Sequence, residues 1–382
     1  METRLWAYPW DIARLGIDEA VRRVVDAEID VVSLATVYHS GQVLSLVGGP
    51  PQWVFQSEGP LVDVRESNWQ QGNLTFSPRD VVMDLSKALR QAGVGLRGWT
   101  IVNHDKRGWA PSMNCYGQAM PHAACPVANR ERAIQLAESL GELGVFDGLD
   151  LESVGFTSAL HGAHHEITGI QITPLRQLLL SFCACDACRD YFTGHLDWVA
   201  LRQTMQQRLA RTLADEACDD GIAEVTQFLA EYPLVARYVA SRDRLLAQLV
   251  AQMGSAAGIP VAPILMAYER RAELSWIEGL TADPRLGSLI ALGYGDVQMI
   301  TSDLAWLRRQ GWDLERVVLG QSLLPAVAAD YGAAEARIQA ALELGVRQFS
   351  FYNLGLLPPQ RWQWLRALSA MIKAQEANEL RD

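Results

Sequence analysis

The chain predicts an α/β fold, a parallel (β/α)8 TIM barrel that carries a long loop after its second strand and a helical insertion after its fourth. Three observations lead there. Short β-rich runs alternate with longer amphipathic stretches, the order expected of successive β/α units. The length, 382 residues at 49% hydrophobic content, suits one barrel with additions. One run, Phe146-Asp-Gly-Leu-Asp-Leu-Glu152, ends in carboxylates and leads into a segment crowded with imidazoles, as the carboxyl end of a barrel strand does.

The strands are read in order as Leu5 to Tyr8, Val31 to Ala35, Gly95 to Val102, Phe146 to Glu152, Val261 to Met266, Leu289 to Leu292, Val317 to Gly320 and Gln348 to Tyr352. Periodicity and caps place helices over Ile17 to Ala27, over Pro78 to Ala92 behind Ser77, and over Asn129 to Leu143. A last helix, Pro358 to Glu379 with Pro359 near its start, closes the ring. Two stretches exceed what a minimal barrel needs. Gly41 to Ser77 is a long loop rich in Gly, Pro and Gln, and residues 189–258 hold two or three helices around Pro233 where one would suffice. The whole of 1–382 reads as one domain, with 189–258 as an insertion within it that can serve as a lid or a contact in a homo-oligomer.

Charge and targeting signals narrow the partners. A formal net charge of -11, without basic clusters or basic helices, argues against nucleic acid and against an anionic membrane surface, and favours a small neutral or cationic ligand. The first strand begins almost at once, without a basic or apolar leader, and no apolar run is long enough to span a bilayer, so a cytoplasmic protein is expected. Six cysteines in so long a chain do not make a secreted disulfide framework.

Side chains alternate along a strand, so Phe146, Gly148, Asp150 and Glu152 are expected on one face and Leu149 and Leu151 on the other. Two acids on a face that should be apolar point to chemistry. Six of the seven histidines follow strands: His39 the second, His104 and His122 the third, His161, His164 and His165 the fourth. Imidazoles can donate to sugar hydroxyls, exchange protons near neutral pH or bind a metal. The third strand repeats the theme with Trp99, Asn103 and His104, followed by Asn114; apolar faces beside amide and imidazole donors suit a carbohydrate or another polyol. Trp53 and Trp69 can add stacking platforms. Further candidates after later strands are Glu269, Tyr294, Asp296, Tyr352 and Asn353. Cys183, Cys185 and Cys188 form a C-x-C-x-x-C run before a helix. Such a run can clamp zinc or another divalent metal, given a fourth ligand from Cys125, Cys115 or a histidine, or it can be a set of buried or reversibly paired thiols; redox catalysis is the third reading, with no thioredoxin-like context around the motif.

The segments Trp99-Thr-Ile-Val-Asn103-His104, Asn114-Cys-Tyr-Gly-Gln118, Ala124-Cys-Pro126, Leu151-Glu-Ser153, His161-Gly-Ala-His-His-Glu166 and Phe182-Cys-Ala-Cys-Asp-Ala-Cys188 resemble a group of bacterial barrel proteins usually described as glycoside hydrolases. The resemblance runs from the second strand to the cysteine cluster, with an echo at Phe351-Tyr-Asn-Leu-Gly355. It implies a TIM barrel and a carbohydrate-related role. Locally, Phe146 to Glu152 is also similar to the fourth-strand motif of chitinase-like barrels, but the place of that motif's catalytic glutamate falls on Val154, which weighs against substrate-assisted chitinase chemistry.

The function expected is therefore a glycosidase-like enzyme. Glu152 acts as general acid/base or nucleophile, Asp150 tunes it or holds substrate, and Glu269 or Asp296 approaches as a second acid; His104 stands among the catalytic candidates, and His39, Trp99, Asn103, Asn114, His161, His164, His165, Tyr294, Asp296, Tyr352 and Asn353 among the substrate contacts. A metal-dependent lyase, isomerase or hydrolase using Glu152 and the histidines is the alternative, and a sugar-binding barrel without catalysis the third.

Overall fold

The computed structural model describes residues 1–62, 78–104, 108–156, 169, 171–214, 222–265, 277, 280 and 286–379. Its strands are β1 (Glu2–Ala7), β2 (Val31–Tyr38), β3 (Gly41–Ser45), β4 (Gln52–Gln56), β5 (Gly59–Pro60), β6 (Gly95–Ile101), β7 (Pro111–Met113), β8 (Ala119–Ala124), β9 (Gly148–Glu152), β10 (Val261–Leu265), β11 (Leu289–Leu292), β12 (Val317–Ser322) and β13 (Gln348–Tyr352). Eight of them, in the order β1-β2-β6-β9-β10-β11-β12-β13, pair in parallel, and β1 pairs with both β2 and β13, so the sheet closes on itself. This is the (β/α)8 barrel that the alternation predicts.

The strand alternation sorts the core into two layers. Leu5, Leu34, Leu96, Leu149, Leu151, Val317, Leu319 and Phe351 pack outward against the helices, whereas Trp6, Ala35, Trp99, Ile101, Ala262, Ile264, Ile290, Leu292 and Val318 fill the barrel interior. Register puts Trp99 opposite Asp150 and Ile101 opposite Glu152, so both acids belong to the interior face, as expected. Phe146 does not share it. It precedes β9 and packs in the outer layer instead.

Strand ends shift where local chemistry overrides the apolar run. β1 starts at Glu2 and stops at Ala7, because Pro9 opens an unexpected helix, Pro9–Leu15, with Tyr8 as its extended N-cap. β2 runs on to Tyr38 past an irregularity between Ala35 and Val37. Within the long loop after β2, β3 and β4 form an antiparallel hairpin whose Val43 and Val54 pack on the interior cluster while Trp53 and Phe55 stay exposed. Between β6 and β9 a second hairpin forms, β7 with β8. The expected insertion contains helices Trp198–Ala214, Ile222–Glu231 and Pro233–Ala257, preceded by Pro174–Leu180 and Asp186–Thr193. No helix among the described residues is long and apolar enough to cross a membrane.

Candidate active site and a four-thiol nest

The barrel interior is polar at its amino-terminal end and aromatic at its carboxyl end. At the polar end, Asp150 is fully buried and receives Arg97 Nε at 2.7 Å and Ser33 Oγ at 2.6 Å, with Arg4 Nη1 at 3.8 Å. Arg4 in turn reaches Glu2, Gln348 and, at 3.4 Å, Ser288. Gly148 makes room for this layer, since a Cβ there would meet Arg97 Nη1 at 2.1 Å and the Pro260 carbonyl at 2.7 Å. Asp150, expected beside Glu152 on substrate, is thus bound inside the barrel to the Arg97 guanidinium and Ser33, with Arg4 nearby. A buried carboxylate survives only when paired and hydrogen-bonded, and here it is both.

One register step further along β9, Glu152 is half-buried, and Trp99 Nε1 donates to its Oε2 at 2.6 Å. Beyond Glu152 the chain turns through Ser153, a non-glycine residue in the left-handed region (φ 54°). Asn103 holds that turn: its amide N–H bonds the Ser153 carbonyl at 3.0 Å and its Nδ2 bonds the Val154 carbonyl at 2.7 Å.

Around the carboxylate stand the expected Tyr352 and further rings, Trp6, Tyr8 and Tyr38, that are not among the expected site residues. Trp6 stacks on Trp99 at 5.7 Å between centroids, Tyr38 meets Trp99 edge-on at 4.9 Å and Tyr352 does so at 6.0 Å. The Tyr8 hydroxyl lies 2.9 Å from that of Tyr38 and 2.7 Å from that of Tyr352. Burial first, then neighbouring Tyr352 and the Glu152 charge, pushes the Tyr38 and Tyr294 phenols well above their ordinary range; burial and Glu152 also raise Tyr352. These shifts favour the neutral phenols. A signal for Tyr8 and Trp6 was present, in the period-two aromatics Trp6, Tyr8 and Trp10 leading off the first strand.

Two expected histidines meet. The His39 ring stacks on Tyr38 at 4.2 Å and lies 5.3 Å from the His104 ring. His39 Nδ1 lies 2.6 Å from the Ser40 carbonyl and His104 Nδ1 2.9 Å from the His122 carbonyl, contacts in which each Nδ1 donates. His104 also bridges to Ala123 of β8.

Other expected contacts are occupied in backbone bonds. Asn103 is fully buried and spends its amide on the turn after Glu152. Asn114 Oδ1 accepts from the Tyr116 and Gln118 amides at 3.0 Å and so ties the β7–β8 turn. Asp296 is exposed and caps the helix Val297–Arg309 by accepting from Met299 N at 2.8 Å. Asn353 is fully buried and accepts from Gly355 N at 3.1 Å. Asn and Asp favour such local turns and caps, which compete with ligand contacts for the same short side chains. Trp99 is buried at 3% exposure, with its indole N–H bonded to Glu152. His161, His164, His165, Glu269 and Trp69 lie outside the described residues.

A second polar group lies away from the interior cluster. Cys125, Cys183, Cys185 and Cys188 place their sulfurs all within 4.8 Å of one another, a group that can hold a metal ion. Cys125 and Cys188 approach to 3.4 Å and Cys125 and Cys185 to 3.5 Å, and the Met113 amide donates to Cys183 Sγ at 3.4 Å. Bonds from the other thiols pull Cys183 down, and bonds from its neighbours push Cys125 and Cys188 up. Cys115, buried near the β7–β8 turn, is not part of it.

No family model matches the chain, and no curated protein matches it in sequence. Its fold does match solved structures. The glycoside hydrolase domain of PgaB (BpsB) from Bordetella bronchiseptica is similar at a TM-score of 0.61 and 12% identity, over 97% of this chain and 99% of that one. A β-galactosidase from the psychrophilic Marinomonas ef1 is similar at 0.51 and 8% identity, over 99% of this chain and 60% of that one. At such identities the likeness shows a shared barrel architecture.

Proposed function

We propose that the protein is a carbohydrate-acting enzyme of the glycoside hydrolase type, with Glu152 as its general acid/base. One observation carries the reading. Glu152 is a half-buried carboxyl at the carboxyl end of a barrel strand, oriented by an indole N–H and surrounded by neutral phenols. An acid in that position, oriented by the Trp99 indole, can pass a proton to a glycosidic oxygen. The rings offer apolar faces for sugar C–H surfaces, and the Tyr352 and Tyr294 hydroxyls and the His39–His104 pair offer polar contacts for the sugar rim. The similar PgaB barrel is a glycoside hydrolase domain, and that likeness supports the same class at the level of fold.

Glycoside hydrolysis requires a second group, a carboxylate or a held water opposite the acid. Asp150 and Asp296 are engaged elsewhere. Glu269, which follows the fifth barrel strand, is assigned here as that second acid, with His161, His164 and His165 as further substrate contacts. The four-thiol nest belongs to the layer outside the barrel and takes no part in the proton transfer. The test is a screen of polysaccharides and aryl glycosides for newly released reducing ends. Cleavage of at least one class is expected; tight glycan binding without any cleavage would select the non-catalytic barrel instead.

A further inference from the structure

We propose that Cys125, Cys183, Cys185 and Cys188 bind one zinc ion that staples the β7–β8 hairpin to the segment leading into the helical insertion and so keeps His104 at the barrel mouth. In a tetrahedral four-thiolate site with Zn–S near 2.3 Å, the sulfurs lie about 3.8 Å apart. The observed separations of 3.4 and 3.5 Å require only a small outward movement to meet that value. A disulfide brings two sulfurs to about 2.05 Å. Four thiols gathered within 4.8 Å, with none at bonding distance, fit a shared central ligand better than two covalent pairs.

The surroundings fit an ion as well. Cys125, Cys183 and Cys188 are fully buried, and an apolar enclosure keeps competing water from the metal. The Met113 and Cys188 amides donate to Cys183 and Cys185 sulfurs, a backbone shell suited to thiolates that give up their protons on binding. Cys185 is also the N-cap of Asp186–Thr193, where the helix end favours negative sulfur. All-sulfur ligation selects zinc over calcium or magnesium, which take oxygen.

The ligands come from two distant pieces of chain. Cys125 directly follows β8, while the other three lie at or between helices Pro174–Leu180 and Asp186–Thr193. Besides sulfur, a backbone bond from Ala184 N to the Met113 carbonyl ties the two pieces. From Cys125 the path to the mouth is short: Ala124 N bonds the Asn103 carbonyl at 2.8 Å, Ala123 bridges to His104, and Asn103 bonds the turn after Glu152. A metal at the nest thus fixes the strand to which His104 is bridged.

The test reads metal and amide exchange, not turnover, so its failure would leave the glycosidase reading standing. Whole protein purified without chelator is expected to carry about one zinc per chain. Cys125→Ser should lose most of it and Cys115→Ser should keep it. Because Cys125→Ser can fail to fold, the parent is also prepared from cobalt-supplemented cells, where the visible absorption of tetrahedral thiolate cobalt is expected. Metal-free protein, iron in place of zinc, metal retained in Cys125→Ser, or octahedral cobalt would each overturn the site. On zinc removal, hydrogen exchange at Ala124 and Ala184 should rise about tenfold or more while β1 and β13 stay protected. Unchanged exchange at those two amides, or loss of protection throughout, would overturn the staple.

Discussion

An acid placed at a strand end is useful only if something aims it, and for Glu152 that is the Trp99 indole on the neighbouring strand. The same logic extends to the imidazoles. His104 is held through Nδ1 by the His122 carbonyl and lies beside His39, and His104→Ala is expected to lower turnover or ligand affinity about tenfold while changing stability by under about 0.5 kcal/mol. Parental kinetics in that variant would remove the residue from the site. Asp11 presents the opposite case, a carboxyl no reaction uses. It is fully buried, accepts from Ser45 Oγ at 2.6 Å, and its Oδ2 lies where a Cβ on Gly355 would be. Burial raises it from 3.8 to about 7, against smaller opposing effects from Ser45 and Arg14. The folded state therefore holds this proton more tightly than the unfolded chain, so the associated stability is complete below about pH 4 and fades as pH rises to about 7. Thermal melts should show the parent losing stability relative to Asp11→Asn across that window. Parallel curves would contradict the assignment.

At the scale of strands, the polar layer inside the barrel explains why β9 carries two acids with different fates. Asp150 neutralises Arg97 and sits near Arg4 at the closed end, while Glu152, one step up, meets the aromatic end. Removing one partner of a buried pair leaves an uncompensated charge, so Asp150→Leu should cost on the order of 3–5 kcal/mol in denaturant unfolding. A midpoint unchanged from the parent would return Asp150 to the candidates for substrate contact. Much of this was legible in advance. Leu149 and Leu151 against Gly148, Asp150 and Glu152 declare a two-faced strand, and alternation assigns the faces. What alternation cannot tell is how deep along the barrel each acid lies, because depth depends on stagger between strands, and on arginines from β1 and β6 remote in sequence. For the same reason Asn103, Asn114, Asp296 and Asn353 read as ligand contacts: their short polar side chains look alike whether they meet a sugar or close a turn. Tyr8 was hidden in another way, at a strand end that a following proline turns into a helix start.

For the molecule as a whole, closure of the sheet through β1 makes the amino-terminal and carboxyl-terminal strands neighbours and brings Tyr8, Tyr38 and Tyr352 to one point, from residues up to 344 apart in sequence. The additions to the barrel gather at the same functional end: the β3–β4 hairpin packs Val43 and Val54 onto the aromatic cluster, and the β7–β8 hairpin carries the strand bridged to His104. Fold class was readable because β/α alternation is a global pattern, whereas the four-sulfur nest was readable only in part, since Cys125 joins Cys183, Cys185 and Cys188 through folding alone. The central claim is that this shared end is a reaction site whose general acid/base is Glu152. Its most direct test is the turnover of Glu152→Gln on whichever glycan the parent cleaves, measured beside its melting curve. The isosteric amide keeps the shape but cannot deliver a proton, so turnover should fall roughly a hundredfold to ten-thousandfold with melting unchanged; a variant that folds like the parent and cleaves at the parental rate would contradict the claim.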